Sequence, residues 1–113
     1  MTQNKVLKRL KFSAHLVAPI LDGSKTVTWR LFDDKDLQVG DELELIESAG
    51  SQLIARASIT AVAEKPLGEV TEDEMAENGY RDHAHVLEFN RQLYGASVTE
   101  DTLVKIITFE IKK

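Results

Sequence analysis

The sequence predicts an α+β domain in which short, mostly antiparallel strands are interleaved with helices. Three observations carry this. Residues 5–12 and 26–31 alternate apolar and polar side chains, the period of two of a half-buried strand, and residues 42–47, 52–63 and 102–111 read as further strands. Ala49-Gly50-Ser51 is a turn signal between two of these runs, which predicts an antiparallel hairpin. Between the hairpin and the last run lie two stretches punctuated as helices, Thr71 to Gly79 and Asp82 to Gly95.

In chain order, Lys5 to Phe12 reads as a strand. Ser13 is then placed to cap a short helix that reaches Asp22 and is stopped by Gly23. Pro19 constrains that helix: deep inside it a proline costs about 3 kcal/mol, so the helix is either kinked or begins late with Pro19 in its first turn. Thr26 to Leu31 is the second strand, with Val27, Trp29 and Leu31 on one face and Thr26, Thr28 and Arg30 on the other. The charged loop Asp33-Asp34-Lys35-Asp36 and the turn Val39-Gly40-Asp41 lead to the strand Glu42–Glu47. The strand after the hairpin turn places Leu53, Ala55, Ala57, Ile59, Ala61 and Ala63 on one side, small residues that permit the close approach a curved barrel wall requires. Thr71-Glu72-Asp73-Glu74 has capping-box spacing and Asn78-Gly79 is a helix stop. A longer helix from Asp82 to Tyr94 carries Val86, Phe89, Asn90 and Leu93 at helical spacing, a stripe that only Asn90 breaks. Thr102 to Ile111 forms the last strand, with Leu103, Ile107, Phe109 and Ile111 lining one face.

At 113 residues the chain fits one domain, residues 1–113, with a single core. Apolar residues are 42% of it, and no run approaches the roughly 18 needed to span a bilayer. Met1-Thr2-Gln3-Asn4-Lys5 lacks a signal-peptide apolar region, so a cytoplasmic location with no membrane partner is expected. There is no cysteine, which excludes disulfides, thiolate metal sites and a cysteine nucleophile. The net charge of −5 argues against tight, non-specific phosphate binding. Residues 1–31 nevertheless hold six basic side chains (Lys5, Lys8, Arg9, Lys11, Lys25, Arg30) against one acid, Asp22. Lys5, Lys8, Arg9 and Lys11 read either as the solvated face of an edge strand or as a basic rim that draws in an anionic nucleotide or RNA.

Gly23-Ser24-Lys25-Thr26-Val27-Thr28-Trp29-Arg30 concentrates the chemistry. Lys25 is either a solvated lysine beside a turn or a base: Arg30 and an enclosing cleft would both lower its pKa and leave some neutral amine. Thr28 is either an ordinary β-branched strand residue or a nucleophile, for which Lys25 is the one base close in sequence. Arg30 can hold a phosphate, a carboxylate or the carbonyl edge of a base, or simply join a salt bridge. Trp29 is core or a stacking platform for a base. Glu77 lies in the last turn of its helix, where a negative charge opposes the helix dipole. Asn78 and Tyr80 flank it and can meet the same ligand. His83 and His85, two apart, do not share a helix face, and no metal or other cofactor is expected.

The glycine followed by Lys-Thr-x-Thr-x-Arg, with a short apolar helix before it and Val39-Gly40-Asp41-Glu42-Leu43 after it, resembles the ASCH domain of the PUA-like superfamily. The likeness runs along most of the chain. In pattern it is similar to the small bacterial N(4)-acetylcytidine amidohydrolases, whose signature lysine and threonine fall on Lys25 and Thr28 and whose catalytic glutamate falls on Glu77. The resemblance implies a small PUA-like, mostly antiparallel β-barrel of five or six strands with flanking helices and a cleft for RNA or a nucleobase. It implies Lys25, Thr28 and Glu77 as catalytic residues, with Thr26, Trp29, Arg30 and Tyr80 holding the substrate. A small nucleoside or single-stranded RNA is the expected partner. The competing expectations are a non-catalytic RNA-binding or modified-base-reading module and a regulatory interaction domain with an idle pocket.

Overall fold

The computed structural model describes residues 7–32 and 35–112. Met1 to Val6, with the start of the first predicted strand, Asp33-Asp34 and Lys113 lie outside the described residues. The strands are β1 (Leu7–Phe12), β2 (Val27–Leu31), β3 (Glu42–Glu47), β4 (Leu53–Pro66) and β5 (Leu103–Ile111). The α-helices are α1 (Val17–Asp22), α2 (Glu72–Glu77) and α3 (His83–Tyr94). Single 3-10 turns at Ala14–Leu16 and Leu67–Glu69 precede α1 and α2. One sheet holds all five strands in the order β1-β3-β4-β5-β2. The architecture is α+β and mostly antiparallel, and β1 and β3 form a parallel pair in it.

Local signals set most boundaries. Proline is tolerated in the first turn of α1 because its missing N–H has no intrahelical partner there, and the chain from Ser13 to Leu16 takes a 3-10 turn instead. Ser13 makes no side-chain cap bond. Gly23, at φ 85°, ends α1. The hairpin forms as expected: Glu42 faces Ser58 and Leu43 faces Ala57, until an irregularity beyond Leu45 inserts Ile54 as an extra residue.

The described residues divide into two compact units, the first comprising residues 7–26, 35–62 and 107–112, the second 27–32 and 63–106. Each has its own apolar cluster, where the length alone predicts one core. Leu10, Phe12, Ile20, Leu43, Leu45, Ala57, Ile59, Ile107 and Phe109 build the first. The second is built from Trp29, Leu31, Leu67, Val70, Met75, Val86, Val98, Val104 and Ile106.

The long strands depart from strict alternation. On β4, Ala57 and Ile59 are buried as expected, but Leu53, beside the extra residue, is exposed, and so are Ala61 and Ala63. Ile54 and Val62 pack against the first cluster instead. Ala61 and Ala63 therefore do not take part in the close-approach wall expected of them. β5 changes phase at Ile106–Ile107, giving Val104 and Ile106 to the second cluster and Ile107 and Phe109 to the first, while Leu103 is exposed.

Candidate functional site

The second unit holds Thr28, Trp29, Arg30, Tyr80 and Glu77. β2 carries the first three. Trp29 and Leu31 enter the apolar cluster, and Val27 packs against it, as alternation requires. The opposite face of the strand is not open at its centre: Thr28 is 5% exposed and Arg30 is half-buried.

Tyr80 is positioned by the end of α2. Thr71 and Glu74 form a reciprocal capping box that fixes the start of this one-and-a-half-turn helix. At its other end Gly79 adopts φ 80°, a left-handed conformation natural to glycine. The Gly79 amide then donates to the Ala76 carbonyl at 3.1 Å and the Tyr80 amide to the Met75 carbonyl at 2.8 Å, the two bonds of a Schellman motif. The motif folds Tyr80 back onto the cluster that contains Met75.

The Tyr80 ring lies 4.9 Å from that of Trp29 and meets His85 and Phe89 edge-on at 5.3 and 5.7 Å. Its hydroxyl accepts from Asn90 Nδ2 at 3.3 Å and is also hydrogen-bonded to Asn78. Burial pushes the Tyr80 phenol above its ordinary pKa, the bonds from Asn90 and Asn78 pull it back, and the charge of Tyr94 adds to the rise. Asn90 is 2% exposed and donates in addition to the Val86 carbonyl at 2.8 Å. The residue that breaks the apolar stripe of α3 is thus the polar member of its buried face. Val86 is buried beside it, while Phe89 and Leu93, expected in the core, are exposed.

Arg30 and Tyr94 form the other half of the site. Burial holds the Arg30 guanidinium below its ordinary pKa, and the charge and hydroxyl of Tyr94, to which it donates, draw it part of the way back. Tyr94 in turn meets the ring of Phe32 edge-on at 5.8 Å. Trp29 is 5% exposed and enclosed by the cluster, the core alternative of the two that the sequence offers. Its Nε1–H is, among the described residues, the one fully shielded side-chain N or O atom with no hydrogen-bond partner.

Lys25 and Thr26 belong to the first unit. Asp22 accepts from the Ser24 amide at 2.8 Å beyond the Gly23 turn, and the Lys25 amide donates to the Pro19 carbonyl at 3.0 Å. Lys25 is half-buried. Thr26 is exposed, and its carbonyl accepts from the Phe109 amide at 2.8 Å. Glu77 ends α2 and is exposed.

The two histidines serve the fold. His83 Nε2 donates to the Val70 carbonyl at 3.0 Å, and His85 Nδ1 accepts from the Arg81 amide at 3.1 Å. No group of three or more His, Asp or Glu side chains placed to hold a metal ion occurs among the described residues. A cavity of about 660 Å³ in the first unit, lined by Ser58, Thr60, Glu110, Ile111 and Lys112, contains none of the predicted site residues.

The basic strand is not a free rim. β1 is an edge strand, and Lys8 pairs with Asp41 at 2.7 Å while Arg9 pairs with Glu44 at 2.9 Å. Glu44 also faces Arg56 at 3.4 Å. Lys11 is exposed, and Lys5 lies outside the described residues. No helix of the described residues is long and apolar enough to cross a membrane.

No local signal in the sequence shows that Phe32, which follows β2, and Tyr94, which ends α3, meet. Asn90 is marked in the sequence only by its break in an apolar stripe.

No protein-family model and no curated protein sequence matches this chain. Solved structures do. The ASCH domain from Lactobacillus crispatus JV V101 is similar over 94% of this chain and 79% of its own, with 24% identity and a TM-score of 0.71. A protein from Enterococcus faecalis V583 is similar over 99% of this chain and 78% of its own, with 18% identity and a TM-score of 0.72. The ASCH protein from Zymomonas mobilis is similar at 10% identity, over 91% of this chain and 66% of its own, with a TM-score of 0.62. The fold of this chain is therefore that of ASCH domains.

Proposed function

We propose that this chain binds a pyrimidine nucleoside and removes the acetyl group of N(4)-acetylcytidine. The observation that carries the reading is the setting of Thr28: a buried hydroxyl-bearing residue three positions after Lys25, on a strand whose next residues are Trp29 and the half-buried Arg30. Water is scarce around such a residue, and a hydroxyl nucleophile with a nearby base gains most where water does not compete.

In the proposed reaction the neutral Lys25 amine takes the proton of the Thr28 hydroxyl as Oγ1 attacks the acetyl carbonyl. The tetrahedral intermediate carries an oxyanion, for which Arg30 or backbone N–H groups supply the stabilising charge. Collapse breaks the amide C–N bond, with Glu77 delivering a proton to the departing exocyclic amine. Cytidine leaves and an acetyl ester remains on Thr28. Water, activated by the same groups, hydrolyses the ester to acetate and restores the threonine.

The competing RNA-binding reading draws its strength from the basic β1, and the ion pairs of Lys8 and Arg9 weaken it there. The test is direct. Purified protein incubated with N(4)-acetylcytidine should yield cytidine and acetate in equal amounts, resolved by chromatography, and folded Thr28→Ala protein should yield neither. Equal rates in wild type and Thr28→Ala would remove the threonine nucleophile.

A further inference from the structure

Phe32 follows β2 and has two costly features. Its backbone sits at φ 52°, in the left-handed region that β-carbon sterics disfavour for bulky residues by about 1 kcal/mol or more. Its ring is also 57% exposed, so little burial offsets that strain. The ring is not loose on the surface, because it is set edge-on to Tyr94 at 5.8 Å. Tyr94 takes the guanidinium of Arg30 and lies close enough to Tyr80 to influence its ionisation. Tyr80 contacts Trp29 on one side and Phe89, also exposed, on another. Within the second unit, then, two exposed phenyl rings are joined through two tyrosines to the half-buried guanidinium of Arg30 and the buried indole of Trp29.

The Arg30 guanidinium can only donate hydrogen bonds. A ligand suited to it and to the exposed phenyl ring is planar and apolar on its faces and carries acceptor atoms on its edge, which describes a pyrimidine base with its ring carbonyl and nitrogen. We infer that Phe32 is the residue that stacks the base of the ligand, held at the edge of the site by its contact with Tyr94, and that the stacking role expected of Trp29 falls to it. This inference rests on the nucleoside-binding part of the proposed function and adds the residue that selects for a planar ring. It does not depend on the chemistry at Thr28.

Cytidine is the probe, its affinity measured by calorimetry and its arrival by the fluorescence of Trp29, the single tryptophan of the chain. Base–aromatic stacking predicts that Phe32→Ala and Phe32→Leu each weaken binding about tenfold, since leucine is apolar but not flat. Phe32→Tyr should bind as wild type. Leu93→Ala, a change on an exposed apolar residue of α3 outside the ring line, should also bind as wild type, which separates stacking from general loss of apolar surface. Where N(4)-acetylcytidine is turned over, the same variants should raise KM by a similar factor with much smaller effects on kcat. Phe32→Gly should melt above Phe32→Ala, because glycine takes φ 52° without steric cost. Cytidine binding that depends on Phe32 without any turnover would leave this inference standing and remove the amidohydrolase reading. Turnover with KM and affinity indifferent to Phe32→Ala would overturn this inference alone. No binding and no turnover would overturn both.

Discussion

Replacing Asn90 with leucine tests whether the buried polar contact of α3 holds Tyr80 in place. Asn90 is 2% exposed, so leucine, of similar shape, fills its space without a large void. Two hydrogen bonds are lost. The Val86 carbonyl keeps its helical partner, the backbone N–H of residue 90, and forfeits only a second bond of 2.8 Å. The Tyr80 hydroxyl loses a donor at 3.3 Å, near the long limit of a useful bond, and keeps Asn78. A neutral hydrogen bond contributes about 0.5–1.5 kcal/mol net, so the substitution should cost about 1 kcal/mol, or about 4 °C in the thermal midpoint of a domain of this size. Asn90→Ala should cost about twice that, because nothing then fills the space.

The local readout is the titration of tyrosine, followed by tyrosinate absorbance; the chain has two, Tyr80 and Tyr94. Burial already raises the Tyr80 pKa, and the bond from Asn90 is one of the influences that lower it. Its removal should move Tyr80 further upward. The sign for stability follows from linkage. The unfolded phenol ionises first as pH rises, so the contribution of protonated Tyr80 is full below the unfolded pKa of about 10 and is lost as pH climbs through the folded value. Asn90→Leu should therefore leave the onset of that alkaline loss near the unfolded pKa and extend its end to higher pH. A Tyr80 titration that stays where it is in wild type, with a thermal midpoint also unchanged, would show that the 3.3 Å contact carries no weight and that packing alone seats the tyrosine.

Lys25→Ala should abolish release of acetate from N(4)-acetylcytidine while leaving the thermal midpoint within a few degrees of wild type, and Glu77→Gln should slow it strongly; unaltered rates in folded protein remove the corresponding role. If the neutral amine of Lys25 is the base, kcat/KM should rise with pH through an apparent pKa below the roughly 10.4 of a free lysine, and a flat profile from neutral to alkaline pH excludes lysine. Glu74 is subject to burial, which raises its pKa, but the bonds from Lys65 and Thr71 outweigh this and hold the carboxyl below its ordinary value. Its contribution is thus present above the unfolded pKa and lost as pH falls through the folded one, so Glu74→Gln should flatten the acid limb of a stability profile. Glu74→Ala, which also removes the acceptor for the Thr71 amide at 2.8 Å, should cost about 1 kcal/mol more than Glu74→Gln; equal midpoints for the two variants would show the reciprocal cap to be idle.

What the sequence discloses here is what neighbours in the chain decide. The Thr71–Glu74 box, the Gly23 and Gly79 stops, the Asp82 and Gly95 ends of α3 and the hairpin at Ala49–Ser51 each depend on residues within a few positions of one another, and each formed where it was expected. The position of Tyr80 belongs with them, since a local Schellman motif sets it. Periodicity fixes which residues share a face but not whether that face is covered. For this reason Phe89 and Leu93 read as core and are exposed, and the strands β4 and β5 change phase where no local signal marks it.

The basic N-terminal strand shows the same limit in electrostatics. Counted along the chain, six cations against one acid in residues 1–31 amount to a positive patch. The potential at a surface depends on distance, however, and the parallel pairing of β1 with β3 sets Arg9 opposite Glu44, 35 positions away, with Asp41 close enough to hold Lys8 at 2.7 Å. The acids that cancel this part of the patch, Asp41 and Glu44, lie outside residues 1–31. Lys8 and Arg9 must therefore first give up a carboxylate to bind an anion. This weighs against a polyanion lying along that part of β1.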